Sequence, residues 1–465
     1  MPRAGAAYSS LALRASSEKA NGECYTSPMF RRFLFYGVLL VLGSFVTRAQ
    51  EPSQRAQELQ QQAHAQAAAG DWAAVIASYD EALQISPRNQ AAEIGLAQAY
   101  RGVHNYDEAK QILERARAEH AQSAKVLAAL SDLEIEMQAY DAAIAHLRAA
   151  LVLAPSDVES RNRLAVAYQA KGDLDNALQQ VAKILARDPK SALAYYTRAK
   201  IYSDRNQDAA ALPDAVKVVE LQPQNPRGRL LLGKILLRAP QGEGTEQAKE
   251  RCQRAIATLE PLLEMSAQDS ETLFLISRAY ECAGQSEQAQ KTLAAFEASS
   301  KNDRETKENQ TQAKHLVQQA NELALKNDFA GSVDLLQQAI AKDATHGAAY
   351  SQLAKLYYSA GDIEKASGAI SQALELDPYQ PDFLYVRGKI FEKQGKLEEA
   401  LGAFQRTTTV NPKESDAFFE MGVIYEQRGD KGLALAAYKK AATLAPDDPE
   451  YQRALAAVAG RAAKP

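Results

Sequence analysis

Cysteine is scarce in this chain: three in 465 residues cannot staple a disulfide miniprotein or build a four-cysteine zinc module. Aromatic side chains are few as well, 7% with a single Trp, which suits an Ala-rich helical array better than a β-sandwich. A basic excess is missing: 54 Lys and Arg stand against 58 Asp and Glu, a formal charge of −4. Nucleic acid is thereby excluded as a general partner, since phosphate binding needs a marked surplus of cations. No HExxH, P-loop, GxGxxG or GxSxG pattern occurs, and no two of the six histidines (His64, His104, His120, His146, His315, His346) stand four apart. A zinc hydrolase therefore lacks its ligands. No catalytic residue, cofactor or metal is assigned, and the chain reads as a non-enzyme. It is nonetheless 46% hydrophobic and 24% charged, too apolar to be disordered.

One apolar run stands out near the N-terminus. Met29-Phe30-Arg31-Arg32 leads into Phe33 to Val46 and then Thr47-Arg48-Ala49-Gln50. A basic start, a short apolar stretch and small residues before a cut are the plan of a secretory signal. Thr47 and Ala49 take the −3 and −1 places, so the mature chain is expected to begin at Gln50. An uncleaved anchor is the other reading, but 14 residues rise only about 21 Å as a helix, short of a hydrocarbon core of roughly 30 Å. Either way the remainder lies outside the cytoplasm, and contact with a membrane is limited to this segment. Translation starts at Met1 or, on the placement of the signal, at Met29. Losing residues 1–49 removes six bases and two acids, leaving 48 against 56, a charge of −8. No later run approaches the 18 apolar residues of a spanning helix.

Prolines 87, 155, 189, 223, 378, 412 and 446 are separated by 68, 34, 34, 155, 34 and 34 residues. On a ruler of 34, eleven units begin at Ala56, Gln90, Ala124, Val158, Ala192, Pro226, Ser270, Ala313, Gly347, Pro381 and Ser415. Position 8 is small in every unit: Ala63, Ala97, Ser131, Ala165, Ala199, Gly233, Ser277, Ala320, Ala354, Gly388 and Gly422. Position 11 is aromatic in seven, and position 20 is Ala in eight. Over nearly all its mature length the chain resembles the tetratricopeptide repeat family. The resemblance implies an all-α, right-handed α-solenoid of about eleven helix-turn-helix units, each burying its neighbour's open face, with a C-terminal capping helix. Small residues at 8 and 20 let helices A and B of one unit approach closely.

Departures from the ruler divide the chain. Residues 1–49 form the N-terminal extension and signal, 50–298 hold units 1–7 and 313–448 hold units 8–11. Unit 6 runs ten residues over, through Arg238 to Gly244, and is expected to carry a loop and a lengthened helix B near Thr245–Met265. Residues 299–312 contain Ser299 to Thr311, with no apolar side chain among them, and read as a charged flexible joint in preference to a helical extension of unit 7. Residues 449–465 form the capping helix and tail. Cys252 and Cys282 lie on sequential helices; idle thiols are favoured over a bond, since pairing needs Cα atoms roughly 4.4–6.8 Å apart.

In this family helix A lines a concave groove, which implies protein or peptide partners. Position 9 in units 5 to 10 reads Lys200, Lys234, Arg278, Asn321, Lys355 and Lys389, and positions 5 and 12 add Tyr196, Phe274, Tyr358 and Tyr385. Cations interleaved with rings suit an extended acidic peptide; the other reading is lysines that keep the face wet or pair with nearby carboxylates. The expected function is a scaffold for protein complexes, bacterial and periplasmic or secreted. The alternative is a component of exopolysaccharide secretion whose basic groove meets an anionic polymer.

Overall fold

The computed structural model describes residues 54–238, 244–266 and 269–462. The signal expected over 1–49, the cut before Gln50 and the choice between Met1 and Met29 lie outside the described residues, as does the end of the tail at 463–465. The chain divides into Met1–Glu58 and Leu59–Pro465, and all but the first turn of the helical array belongs to the second.

Twenty-two helices and no strand are found among the described residues. Unit by unit, α1 (54–68) precedes α2 (Trp72–Ile85), α3 (Gln90–Gly102) precedes α4 (Tyr106–Glu119), and α5 (Ala124–Glu136) precedes α6 (Tyr140–Leu153). Then come α7 (Val158–Lys171) with α8 (Leu174–Leu185), α9 (Ala192–Asp204) with α10 (Asp208–Leu221), and α11 (Pro226–Leu236) with α12 (Thr245–Met265). Next are α13 (Ser270–Cys282), α14 (Ser286–Leu325) and α15 (Phe329–Lys342). The remainder is α16 (Gly347–Ser359) with α17 (Ile363–Leu376), α18 (Pro381–Lys393) with α19 (Leu397–Val410), α20 (Ser415–Gln427) with α21 (Lys431–Leu444), and a last helix α22 (Pro449–Ala462).

Local chemistry sets these boundaries. Asn89, Ser123, Asp157, Ser191, Asn225 and Asp269 each cap a helix A by accepting a backbone N–H of its first turn. Between helices A and B the backbone at position 15 is left-handed in all ten units where it is described, at six glycines and at His104, Gln138, Asn206 and Asn327. Gly361 shows why glycine is favoured there: its φ is +81° and a Cβ would touch nothing, so the preference is conformational alone. Asp71, Asp173, Asp328 and Asp362 follow such turns and cap helix B.

The eleven position-8 residues are all buried. Where this residue is Gly, the opposing side chain at position 24 is large. A Cβ on Gly388 would sit 2.5 Å from Phe404, on Gly422 2.6 Å from Tyr438, and on Gly233 2.4 Å from Leu259. Leu259 occupies that place because the insertion of ten residues falls before it, and helix B of unit 6 runs over Thr245–Met265. α22 closes the last face with Tyr451 and Val458 buried and Gln452 and Arg453 outward.

Two expectations are corrected. Residues 299–312 are no joint: α14 runs 40 residues without a break, uniting helix B of unit 7 with helix A of unit 8. The segment has no Gly or Pro, is rich in good helix formers, and carries an i,i+4 pair, Lys301–Glu305 at 3.7 Å. Both ends of the helix are anchored against α13 and α15, so an apolar face is not needed in the middle. Ala289, at position 20 of unit 7, is accordingly left half-buried. The cysteines are not idle thiols either. Cys252 and Cys282 form a disulfide with Cα atoms 5.9 Å apart, because the lengthened α12 brings buried Cys252 beside the last residue of α13.

The array also meets itself. The Trp72 N–H donates to the Tyr379 hydroxyl at 3.1 Å, and that hydroxyl donates to the Gly70 carbonyl at 2.5 Å. The Asn105 amide donates to the Val410 carbonyl at 2.9 Å, and Lys413 lies 3.6 Å from Glu108. Units 1–2 thus rest on the loops and helices of units 9–10, and one hydrophobic cluster contains side chains from both regions.

Two predictions come from this packing. Gly388→Leu should lower stability by about 1–3 kcal/mol through overpacking, measured by urea unfolding. Gly388→Ala should be rescued by Phe404→Leu, since Ala97 with Leu113 and Ala354 with Ile370 hold these two positions in other units. Tyr379→Phe should shift emission of Trp72, the only Trp in the chain, toward the red and speed amide exchange of the Trp72 N–H; an unchanged spectrum and exchange rate would show that the hydroxyl holds nothing in place.

Candidate functional site

Helix A of each unit presents positions 2, 5 and 9 along one side, and side chains at these positions reach the next helix A. Lys234 meets Glu271 of the following unit at 2.5 Å. Lys389 is held between Glu392, 2.6 Å, and Glu420 of the following unit, 2.8 Å, with the Tyr385 hydroxyl donating to the same Glu420 oxygen at 3.3 Å. Burial pulls the Lys389 pKa down, but the hydrogen bonds its ammonium donates to the two carboxylates outweigh it and raise the pKa above the ordinary lysine value. Burial, then the charge of Glu420, pushes the Tyr385 phenol well up.

The other residues expected on this face are less tied. Lys200 pairs within its own helix with Asp204 at 3.1 Å, and Tyr196 is half-buried nearby. Arg278 lies over the Phe274 ring at 5.7 Å, and Phe274 packs on Phe296 at 5.2 Å between centroids. Asn321 is exposed on α14. Lys355 and Tyr358 are half-buried on α16, and Lys355 makes no ion pair among the described residues. The structure therefore brings Tyr385 and Lys389 to one Glu420 oxygen and sets Arg278 over Phe274, each pair within one helix. Three of the five cations already face carboxylates of the chain itself.

A broad open groove lies elsewhere, over α3, α5 and α7 of units 2 to 4. It has a volume of about 1070 Å³. Ala121, Ala124, Ala128, Ala129 and Ala154 line it with small side chains, and Gln90, Gln98 and Gln122 offer amides. At one wall Arg163 bridges Asp132 and Glu159, 2.6 Å from each. Burial raises the Asp132 pKa, with Arg163 opposing. Reading position 9 for cations passes over this stretch, because units 2 and 3 have Gln98 and Asp132 there. The signal that marks it is the alternation of alanines with uncharged amides. Such a surface lets a peptide backbone come close and gives its N–H and C=O groups partners.

Family comparisons fit this geometry. Tetratricopeptide repeat models match residues 66–133, 134–201, 323–390 and 385–449, together more than half of the chain. The chain belongs to the tetratricopeptide repeat family. Among curated proteins, DnaJ homolog subfamily C member 3 of Bos taurus is 37% identical over 83 residues, 18% of this chain and 16% of that protein. The human and Rattus norvegicus proteins of the same name are 36% identical over 83 residues. The chain thus spans about a sixth of the length of the curated relatives it matches. A solved structure, the APC/C hetero-tetramer Cut9-Hcn1, aligns over 88% of this chain and 91% of its own at 14% identity, with a TM-score of 0.31. Membership of a repeat family built for display implies protein partners.

Proposed function

We propose that this protein is a non-enzymatic scaffold that seats an extended segment of a partner protein in the groove of units 2–4. The observation that carries the proposal is an alanine floor, from α5 and the loops at Ala121 and Ala154, bordered by the amides of Gln90 and Gln98 on α3 and of Gln122 in the loop before α5. Small side chains admit the partner's main chain, and Gln90, Gln98 and Gln122 hydrogen-bond it without selecting a charge. Because helices hold the surface, little ordering is lost on binding. The helix A face of units 5–10, with Arg278, Lys355 and the rings of Phe274 and Tyr358, extends the same track toward acidic residues of the partner. Each exposed ion pair there adds only about 0.2–1 kcal/mol. An anionic polysaccharide is the weaker fit: Lys200, Lys234 and Lys389 would have to leave carboxylates they already hold.

The experiment fills the groove without disturbing the fold. Gln98 is exposed, so Gln98→Trp should leave the melting curve unchanged and weaken capture of extended peptides from an immobilised library by about tenfold, roughly 1.4 kcal/mol. Undiminished capture would move the site off units 2–4. Capture that survives Gln98→Trp but is lost in Arg278→Glu/Lys355→Glu, together with retention on an anionic polymer, would favour the polysaccharide reading.

We further infer export from a bacterial cytoplasm to the periplasm or medium. The signal plan before Gln50 supports this, and so does the Cys252–Cys282 bond, since such bonds persist in oxidising compartments. N-terminal sequencing of the envelope fraction should return Gln50; an intact Met29 start would defeat the cleavage.

A further inference from the structure

Glu93 carries an unsatisfied carboxylate. It is fully buried on α3. Its Oε2 meets His120 Nε2 at 3.0 Å, while Oε1 has no hydrogen-bond partner. The Arg115 guanidinium is 3.9 Å from Oε1, beyond hydrogen-bond length, and sits on an arm that is 57% exposed. A buried oxygen left in this state destabilises the fold, the more so when it is charged. Buried charges are ordinarily paired or coordinate a metal.

A third donor stands beside this pair. Glu119 ends α4 and His120 is its C-cap, so the chain turns where two consecutive residues can face Glu93. One ligand atom from each of the three lies within 4.8 Å of the other two. Exposed Glu119 is free to close the remaining gap by a rotamer change. Its own ion partner, Arg88, is 3.7 Å away on an arm that is 85% exposed. Both guanidiniums can therefore swing into solvent when another cation takes their place. Glu119 and His120 also line the groove of units 2–4, which leaves a further coordination position open to it.

We propose that Glu93, Glu119 and His120 form a site for one divalent cation of the zinc class. Two carboxylates and one imidazole supply the oxygen and nitrogen donors zinc takes at roughly 2.0–2.2 Å, and the imidazole disfavours magnesium. The cation satisfies the orphaned Glu93 oxygen and ties α3 to the end of α4. The site is independent of the peptide reading, because it is complete in the free protein. Glu134 and His146 provide an internal control: their side chains meet at 2.9 Å in the next unit, yet no third donor joins them among the described residues.

The test uses tag-free full-length protein titrated with zinc chloride by calorimetry, with magnesium chloride as comparator. The expected result is saturable uptake of one zinc ion per chain, little uptake of magnesium, and a melting temperature that rises with zinc. Glu119→Gln and His120→Gln should each weaken zinc binding by about tenfold or more, while His146→Gln leaves it unchanged. Glu119 is exposed, so its variant keeps the fold even if loss of His120 disturbs it. No saturable uptake by the wild type, or uptake that Glu119→Gln leaves intact, overturns the site. Equal loss in His146→Gln overturns it too.

Discussion

The close crossing of helix A over helix B is the constraint on which every other feature rests. It is held by a fit between position 8 and position 24, clearest where position 8 shrinks to Gly388 or Gly422 and the facing residue grows to Phe404 or Tyr438. The crossing thus keeps its volume while its parts change, as a close-packed interior requires. A hairpin made this way still has an open apolar side, which only the next hairpin covers. Stacking is therefore a consequence of the crossing, and so is the need for α22 at the end.

That much was legible in the residues, because the crossing is local and repeats on a fixed ruler. The small residues at position 8 and the extra ten residues in unit 6 both reappear where the spacing puts them. Residues 299–312 were misread for a physical reason. Absence of an apolar face was taken as absence of helix, yet a segment without Gly or Pro continues as helix when both ends are fixed by packing. The disulfide was beyond reach because it depends on the lengthened α12, whose rotation against α13 no spacing specifies. On the candidate face, the cations were legible but their partners were not: Glu271 and Glu420 come from the following unit.

Solenoids are close to one-dimensional, with each repeat stabilised by its immediate neighbours. This chain departs from that description at two places. The 40-residue α14 replaces a stacking interface by a continuous rod, and the Trp72–Tyr379 and Asn105–Val410 contacts join units far apart in sequence. Loosening at one of these units is then felt at the other, so opening of units 1–2 and of units 9–10 is coupled in a way that a purely linear array does not allow.

The distribution of charge follows from the same packing. Neighbouring helices A lie side by side, so Lys234 and Lys389 at position 9 meet carboxylates of the next unit. Each such pair removes a cation from the face and adds a lateral tie between units. Lys389 is the extreme case: its half-buried ammonium is held between two carboxylates and serves the array. Units 2 and 3 have no lysine at this position: Asp132 of unit 3 is tied to Arg163, and around that pair the face carries alanine side chains and the amides of Gln90, Gln98 and Gln122. The helices that bear these groups are already fixed by the crossings beneath them, which is the ground for proposing main-chain recognition there.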